Sequence, residues 1–196
     1  MHTSADENAR TGRREDEILA AAERAFAAHG YAGASMRQIA DELGLLKGSL
    51  YHYVRSKEEL LFRLLAGTQE ELTALARWAS ALELPAEERL RAYVRRRALL
   101  VSERPARLAL YYHDAHHLTP AHQQWLATAR ERETQLLSRL IARTGTALDP
   151  RIAALAMRDG AYWLFRWAPP GDGPDPASLA DAYATLLLGG LARTPA

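Results

Sequence analysis

A short run of basic, small and aromatic residues carries the clearest chemical signal in this sequence. Its members are Lys47, Gly48, Ser49, Tyr51, His52 and Tyr53. A lysine ammonium pairs with phosphate oxygens, a serine hydroxyl is a short donor, and the polar tips of tyrosine and histidine reach the same oxygens. Glycine lets the backbone come close to a ligand because it has no Cβ. Together these residue types predict a surface that contacts a nucleic acid.

Two short predicted helices position this run. The first starts at a capping box formed by Ser35 and Gln38 and stops at Gly44. Its apolar stripe consists of Met36, Ile39, Ala40 and Leu43. The second helix is predicted over residues 47–53, with Leu50 filling the space between the two. Two short helices joined by a tight turn have the layout of a helix-turn-helix, in which the second helix enters the major groove of DNA.

Further DNA contacts are predicted around these helices at Ser35, Arg37 and Lys57. Arg37, Lys47 and Lys57 are the expected phosphate anchors. Residues 1–60 contain more acidic than basic side chains, so the DNA-facing surface has to arise by segregation of charge. The arginines at positions 10, 13 and 14 are interpreted either as a minor-groove arm or as a solvated tail.

The composition is that of a helical globular protein. Of its 196 residues, 48% are hydrophobic and 25% are charged, and the chain is rich in helix-favouring Ala, Leu, Glu and Arg. Cysteine is absent, which excludes disulfides, thiolate catalysis and cysteine-ligated metals. The first residues lack the pattern of a signal peptide, and no apolar stretch approaches about 18 residues. We therefore expect a cytoplasmic protein without a membrane segment.

Helix-start and helix-stop signals predict an all-α fold of about nine helices. The first long helix is predicted from Arg13 to His29, with Gly30 as its C-terminal cap. Ser56 and Glu59 form a second capping box that opens another long helix. Prolines at positions 85, 105, 120, 150 and 176 are each expected as a first helical residue. The expected N-caps before three of them are Thr119, Asp149 and Asp175.

Four histidines, at positions 113, 116, 117 and 122, raise the question of a metal site. His113 and His117 lie at i and i+4 and could share a divalent ion with Asp114. No HExxH, P-loop, GxSxG or GxGxxG pattern accompanies them. Solvated or pocket-lining histidines are therefore favoured, and neither a metal nor a cofactor is predicted. The arginine run 95–97 is interpreted as a solvated helix face, because consecutive helical residues point in different directions.

The helix-turn-helix, together with the residues on either side of it, resembles the DNA-binding domain of the TetR family of bacterial repressors. The matching segments are Ala25-Phe26, Gly30-Tyr31, Ser35 to Ala40, Gly44, Lys47 to Tyr53 and Ser56 to Glu58. The resemblance implies a DNA-binding domain with a short N-terminal arm over residues 1–57 and a ligand-binding and dimerisation domain over residues 58–196. It also implies a homodimer on a near-palindromic double-stranded DNA operator, and a small-molecule effector.

Two residues depart from the family pattern. Leu46 stands where the family usually has a Ser or Thr N-cap, and losing such a cap typically costs about 1 kcal/mol. Val54 replaces a commoner Phe, which alters the packing beneath the second helix more than any contact with DNA.

Further segments share a weaker resemblance, namely Gly44 to His52, Leu110-Tyr111, Asp114-Ala115, Arg158-Asp159, Arg166-Trp167 and Leu187 to Gly190. They resemble the branch of this family that represses steroid and cholesterol catabolism, and this resemblance implies a CoA thioester as the ligand. In the helix predicted after Pro150, Arg158, Tyr162 and Arg166 recur every fourth residue. They form a row about 12 Å long that suits phosphates and an adenine ring. An amphipathic helix with solvated arginines is the other interpretation of this row. The residues expected to line an apolar cavity for the acyl part include Tyr111, Trp125 and Trp163.

The favoured function is a transcriptional repressor, not an enzyme, that leaves its operator when an acyl-CoA or steroid-derived CoA thioester binds. The alternative is a TetR-type regulator of efflux or stress genes that responds to an uncharged aromatic or drug-like ligand. A metal-dependent helical enzyme is disfavoured by the missing motifs, and a bare DNA-binding adaptor by the roughly 130 residues that follow the head. Dimerisation is expected through apolar residues of the last two helices, namely Leu155, Leu164, Leu179, Tyr183, Leu186, Leu187 and Leu191.

Overall fold

A computed structural model of the protein describes the backbone of residues 4–167 and 175–191 and the side chains of residues 10–163 and 175–191. Within these ranges the chain forms nine α-helices and one short 3-10 helix, Ala115–His117, and no strand. The α-helices are α1 (Ser4–Gly33), α2 (Met36–Glu42), α3 (Lys47–Leu50), α4 (Lys57–Ala81), α5 (Ala86–Glu103), α6 (Pro105–His113), α7 (Pro120–Ala142), α8 (Pro150–Trp167) and α9 (Pro176–Gly190). The all-α prediction is confirmed.

Prolines and side-chain caps start the later helices as the sequence predicts. Proline is the first residue of α6, α7, α8 and α9. Asp149 Oδ1 accepts the N–H two residues further on at 2.7 Å, and Asp175 Oδ1 does the same at 3.0 Å. Thr119 Oγ1 accepts the N–H three residues further on at 3.4 Å. These oxygens satisfy N–H groups that have no partner inside the helix.

Two helix boundaries differ from the prediction. α5 begins at Ala86, so Pro85 is the flanking N-cap residue, with φ −54° and ψ 149°, rather than the first helical residue. α1 begins at Ser4, before the predicted Arg13, so the single Gly12 inside it does not stop the helix. Gly30 interrupts α1 with φ 70° and ψ 160°; the positive φ favours glycine, but the ψ differs from that of the left-handed cap that the sequence predicts. A bond of 3.1 Å from the Ala34 N–H to the Gly30 carbonyl closes one further turn.

The chain divides into two compact units. The first contains the residues up to Thr68 together with Ala109–Gln124, and the second contains Gln69–Leu108 together with the residues from Trp125 onward. In the first unit the fully buried apolar side chains include Ile18, Phe26, Ile39, Leu50, Leu60 and Leu61. The functional boundary expected at residue 57 stays a prediction.

The second unit is built around α5, which packs against α8 and α9. Burying one large apolar side chain contributes about 1.5–3 kcal/mol, so a cluster of this kind stabilises the unit. Gly160 of α8 lies against Tyr183 of α9, and a Cβ at this position would overlap the Tyr183 hydroxyl. The missing side chain therefore lets the two helices approach closely. The core cluster includes Leu90, Tyr93, Val94, Leu137, Ile141, Ala154, Met157, Ala184 and Leu188.

Candidate nucleic-acid interface and effector-domain residues

The helix α2 is fixed at its start by the predicted capping box. The Gln38 N–H donates to Ser35 Oγ at 3.3 Å, and the Ser35 N–H donates to Gln38 Oε1 at 2.8 Å. Met36, Ile39 and Ala40 are buried. Because its apolar stripe faces the core, α2 leaves Ser35 and Arg37 exposed to solvent.

The turn after α2 depends on Gly44. This residue has φ 63°, a left-handed conformation that a residue with a Cβ adopts only at a cost. The Leu45 N–H donates to the Ala40 carbonyl at 2.9 Å, and the Gly44 N–H donates to the Asp41 carbonyl at 3.1 Å. These bonds close the end of α2 and direct the chain into α3.

The helix α3 is shorter than predicted. It spans Lys47–Leu50 rather than residues 47–53, and the three residues after it lie in turns. The N–H groups of His52 and Tyr53 bond to carbonyls three residues back, at 3.2 and 3.0 Å, instead of four. Leu46 flanks the start of α3 without any side-chain cap, as its residue type requires.

The segment formed by residues 47–54, which we call the recognition segment, separates its polar and apolar side chains. Leu50 and Val54 are 0% and 2% exposed. On the other side Lys47, Gly48, Tyr51 and His52 are exposed, and Ser49 and Tyr53 are half-buried. The Lys47 ammonium lies 5.9 Å from the centre of the Tyr51 ring. The segment therefore offers one polar face with a cation and aromatic tips. Its DNA contacts stay predictions.

Lys57 has a different environment from Lys47. Its ammonium donates to the carbonyls of Tyr31, Ala34 and Ala32 at 2.7, 2.8 and 3.3 Å, and lies 4.5 Å from the centre of the Tyr31 ring. These carbonyls belong to the end of α1 and the residue after it, where a cation is favoured by the helix dipole. Lys57 thus joins the end of α1 to the start of α4, a role that residue type and spacing did not suggest.

The end of the recognition segment is held by Glu59 and Arg63 of α4. The Glu59 carboxylate accepts from the Arg55 N–H at 2.7 Å and from Arg63 Nη2 at 2.6 Å, and Arg63 Nη2 also donates to the Tyr53 carbonyl at 3.3 Å. Burial tends to raise the pKa of Glu59, but the bonds from Arg55 and Arg63 outweigh it and lower that pKa below its ordinary value. Of the two hydrogen bonds of the second predicted capping box, the one to Ser56 is present: the Glu59 N–H donates to Ser56 Oγ at 3.0 Å.

Two of the candidate metal-site histidines pack against aromatic rings. The His122 ring stacks on Phe62 with centres 3.7 Å apart, and its Nδ1 lies 2.8 Å from Glu58 Oε1. The His117 ring lies 4.6 Å from the centre of the Tyr31 ring. Among the described residues no group of three or more His, Asp or Glu side chains is arranged to hold a metal ion.

The predicted effector residues are distributed over both units. Tyr111 is buried in the first unit, at 1% exposed, whereas Trp125 lies in the second. On α8, Tyr162 is buried and Trp163 is 46% exposed. The Arg158 side chain contacts both oxygens of Asp159, at 3.0 and 2.8 Å, and donates to Thr134 Oγ1 at 2.7 Å. The side chains of Arg166 and Leu164 lie outside the described residues.

Sequence reasoning missed a buried polar cluster in the second unit. The prediction of a solvated face is wrong for Arg97, which is 1% exposed and donates to Glu133 Oε1 at 2.5 Å. Glu133 is itself 0% exposed and also accepts from the Tyr93 hydroxyl and Gln69 Nε2, both at 3.1 Å. Gln69 Nε2 donates further to Thr73 Oγ1 at 2.9 Å. We call these five residues the buried polar cluster.

A signal for the burial of Arg97 does exist in the sequence. Arg97 follows Tyr93 by four residues and Leu90 by seven, which places it on the apolar stripe of α5. Its neighbours behave as predicted, since Arg95 and Arg96 form exposed ion pairs with Asp181 and Glu103. Helical register, rather than the run of three arginines, identifies the buried residue.

A groove in the second unit lies between α4 and α7. Its volume is about 460 Å³. Its lining residues are Gln69, Glu70, Thr73, Ala74 and Arg77 from α4 and Trp125, Ala129 and Arg132 from α7. Gln69 and Thr73 belong to this groove and to the buried polar cluster at once. None of the helices in the described part of the chain is both long and apolar enough to cross a membrane.

Comparison with known families accounts for most of the chain. Residues 18–64 match the family described as bacterial regulatory proteins, tetR family. Residues 83–191 match the tetracyclin repressor-like C-terminal domain. The chain belongs to the TetR family. It is accordingly a DNA-binding transcriptional repressor with a helix-turn-helix, and its family consists of regulators rather than enzymes.

Several known proteins are similar to this chain over most of their length. The transcriptional repressor KstR2 of Rhodococcus jostii is 28% identical over 194 residues, which cover 95% of each chain. A structure of the ketosteroid transcriptional regulator KstR2 of Mycobacterium tuberculosis has a TM-score of 0.80 at 26% identity and covers 92% of this chain and 96% of that one. AibR, solved in complex with isovaleryl coenzyme A and operator DNA, has a TM-score of 0.80 at 24% identity and covers 89% of this chain and 98% of that one.

Proposed function

We propose that this TetR-family repressor binds a near-palindromic operator as a homodimer and releases it when an acyl-CoA thioester binds. A steroid-derived acyl group is the first candidate. The observation that carries the proposal is the α8 row of Arg158 and Tyr162, in a chain similar over most of its length to the ketosteroid regulator KstR2. The fold likeness to AibR, a protein solved with isovaleryl coenzyme A, agrees with this ligand class.

The DNA part of the proposal rests on the recognition segment. A helix-turn-helix presents the outer face of its second helix to base edges and phosphates. In this chain Lys47, Tyr51 and His52 are exposed on that face, while Leu50 anchors the opposite side. Ser35 and Arg37 at the start of α2 are exposed as well and can contact the flanking phosphates.

The homodimer part rests on apolar side chains that α8 and α9 leave in solvent. Ile152 is 67% exposed and Leu186 is 72% exposed, and Leu155 and Trp163 are exposed as well. Large exposed apolar surfaces on soluble proteins mark interaction sites. A two-fold dimer through this face would set two recognition segments on successive turns of DNA, about 34–36 Å apart or slightly more. Sedimentation should show a dimer at micromolar concentration, and a monomer would count against it.

The effector part of the proposal rests on the ion pair between Arg158 and Asp159, in which a ligand phosphate can take the place of the carboxylate. Its guanidinium holds two carboxylate oxygens of Asp159 in a fork, the geometry that a phosphate group also matches. Arg158 is 13% exposed and Asp159 is 42% exposed, so the pair sits where a ligand phosphate can replace the carboxylate. Trp163, 46% exposed, follows Arg158 on α8 and packs against the buried Tyr162 with ring centres 5.5 Å apart, so its indole is the open aromatic surface for an adenine ring or an acyl chain.

The test titrates the protein on operator DNA with free acids, with their CoA thioesters and with CoA alone. We expect only the thioesters to release the operator, and we expect Arg158→Ala combined with Arg166→Ala to weaken the response about tenfold. Arg151→Ala is the matched control, because Arg151 is another α8 arginine paired with a carboxylate, that of Glu131. If the thioesters have no effect, or if the double variant responds like its parent, the acyl-CoA proposal fails. Release by neutral aromatic compounds instead would favour a regulator of efflux or stress genes.

A further inference from the structure

The groove between α4 and α7 has the volume of a small-molecule site. Its volume of about 460 Å³ lies within the range of about 300–1,000 Å³ typical of such sites. All of its lining residues belong to the second unit, and none of them is on α8. The groove is therefore distinct from the α8 row on which the acyl-CoA proposal rests, and it contains Trp125, which the sequence suggests for the acyl cavity.

One side of the groove suits a flat apolar body. Trp125 is 38% exposed, so part of its indole ring is open to solvent. Ala74 and Ala129 line the groove with single methyl groups and leave space between the two helices. Indole faces and short apolar side chains are the usual lining of sites that bind aromatic groups.

The rim of the groove carries more positive than negative charge. Arg77 and Arg132 are both exposed, and within the described residues neither forms an ion pair, whereas Arg104 and Arg151 each pair with a glutamate. The opposing carboxylate among the lining residues is that of Glu70, which precedes Arg77 by seven residues, or about 10 Å along the helix. Guanidinium groups without a carboxylate partner are well suited to bind an anion.

The floor of the groove is polar and rigidly held. Gln69 and Thr73 are 1% and 7% exposed, and the Gln69 amide is fixed by Glu133, whose charge is paired with Arg97. A buried ion pair adds little stability compared with apolar residues of similar size, so its presence calls for another explanation. Here it holds two polar side chains in place under an open groove.

We propose that this groove binds a small amphipathic anion. The anionic group lies between Arg77 and Arg132, and the flat apolar body lies against Trp125. Gln69 and Thr73 form the polar floor, and the Arg97–Glu133 pair keeps that floor in position. The ligand class is a carboxylate or sulfonate carried on an aromatic or other flat apolar group.

The test measures binding of 2-naphthoate and of the neutral 2-naphthamide to the full-length protein by calorimetry. We expect naphthoate to bind and the amide to bind at least about tenfold more weakly, because the amide carries no charge for the arginines. Arg77→Gln and Arg132→Gln should each weaken naphthoate about tenfold and leave the amide unchanged. Trp125→Ala should weaken both probes about fivefold.

Two controls separate this site from general charge effects and from the α8 row. Arg139→Gln changes another exposed arginine of α7 that does not line the groove, and should leave naphthoate binding unchanged. Arg158→Ala with Arg166→Ala should leave it unchanged too, whatever the response to thioesters. Equal affinity for the two probes, no binding of naphthoate at millimolar concentration, or equal losses in Arg139→Gln and Arg132→Gln would each overturn the proposal.

Discussion

The recognition segment of the first unit and the buried polar cluster of the second place charged groups in opposite surroundings. Lys47 is exposed, and its ammonium lies 5.9 Å from the centre of the Tyr51 ring. Arg97 and Glu133 are 1% and 0% exposed and lie 2.5 Å apart. A hydrated charge contributes little to folding and stays available to a partner, whereas a desolvated charge must be paired within the protein. The first arrangement serves binding, and the second serves the structure around it.

The largest effect is expected from removing one partner of the buried pair. Glu133→Ala leaves the Arg97 guanidinium buried without its carboxylate, and should lower the free energy of unfolding by about 3–5 kcal/mol. Denaturant unfolding followed by helicity measures the change. Glu103→Ala, which removes the exposed partner of Arg96, should cost less than about 1 kcal/mol. Similar losses in the two variants would mean that burial does not distinguish the pairs.

Lys57 should behave as a structural lysine although it lies near the recognition segment. Lys57→Ala removes the donor to three carbonyls at the end of α1, and should lower the free energy of unfolding by about 1–2 kcal/mol. The salt dependence of operator binding by the folded protein should not change. A lower salt slope without a loss of stability would instead make Lys57 a phosphate anchor.

Substitutions of Lys47 and Tyr51 should weaken operator binding without lowering stability, the reverse of what is expected for Lys57. Lys47→Ala should weaken operator binding about tenfold and lower the slope of log affinity against log salt by about one unit per head, because one phosphate contact is lost. Tyr51→Ala should weaken operator binding strongly as well. Both residues are exposed, so the helicity and the free energy of unfolding should stay within about 0.5 kcal/mol of the parent. An unchanged salt slope in Lys47→Ala would place this lysine away from DNA.

The smallest effect is expected from the partly covered Glu58–His122 pair, which is intermediate between the two regions. Burial tends to raise the pKa of Glu58, but hydrogen bonds from Thr119 and His122 and the charge of His122 lower it below 4.5. A lowered pKa in the folded state gives stability above the unfolded pKa, and this stability is lost as the pH falls through the folded pKa. Glu58→Gln should therefore cost up to about 1 kcal/mol at pH 7.

The same linkage predicts how this cost depends on pH. The difference in melting temperature between Glu58→Gln and the parent should shrink as the pH falls below 4.5, since the parent then loses the charged carboxylate too. Thermal unfolding at a series of pH values measures it. A difference that stays constant down to the lowest pH would show that Glu58 acts through shape rather than charge.

The local features of the DNA-binding head were predictable from sequence because they depend on neighbours in the chain. The capping box joins Ser35 and Gln38, and Gly44 adopts the left-handed conformation that its turn needs. Each involves groups only a few residues apart, so residue type and spacing are sufficient to identify it. The length of α3 was overestimated, because turn bonds to carbonyls three residues back continue the chain direction of a helix without its hydrogen-bond pattern.

The sequence by itself determined the all-α fold, the starts of the helices that begin with proline after residue 104, the helix-turn-helix and the family. Only the tertiary structure decided which charges are buried and which side chains meet. Arg97 and Glu133 are separated by 36 residues, Gln69 and Glu133 by 64, and Lys57 and the Tyr31 carbonyl by 26. Contacts at such separations depend on how whole helices pack, and an arginine on an apolar stripe is compatible with solvent until a carboxylate from another helix covers it. For that reason the buried polar cluster and the groove above it emerge from the packing of α4, α5 and α7 and not from any motif.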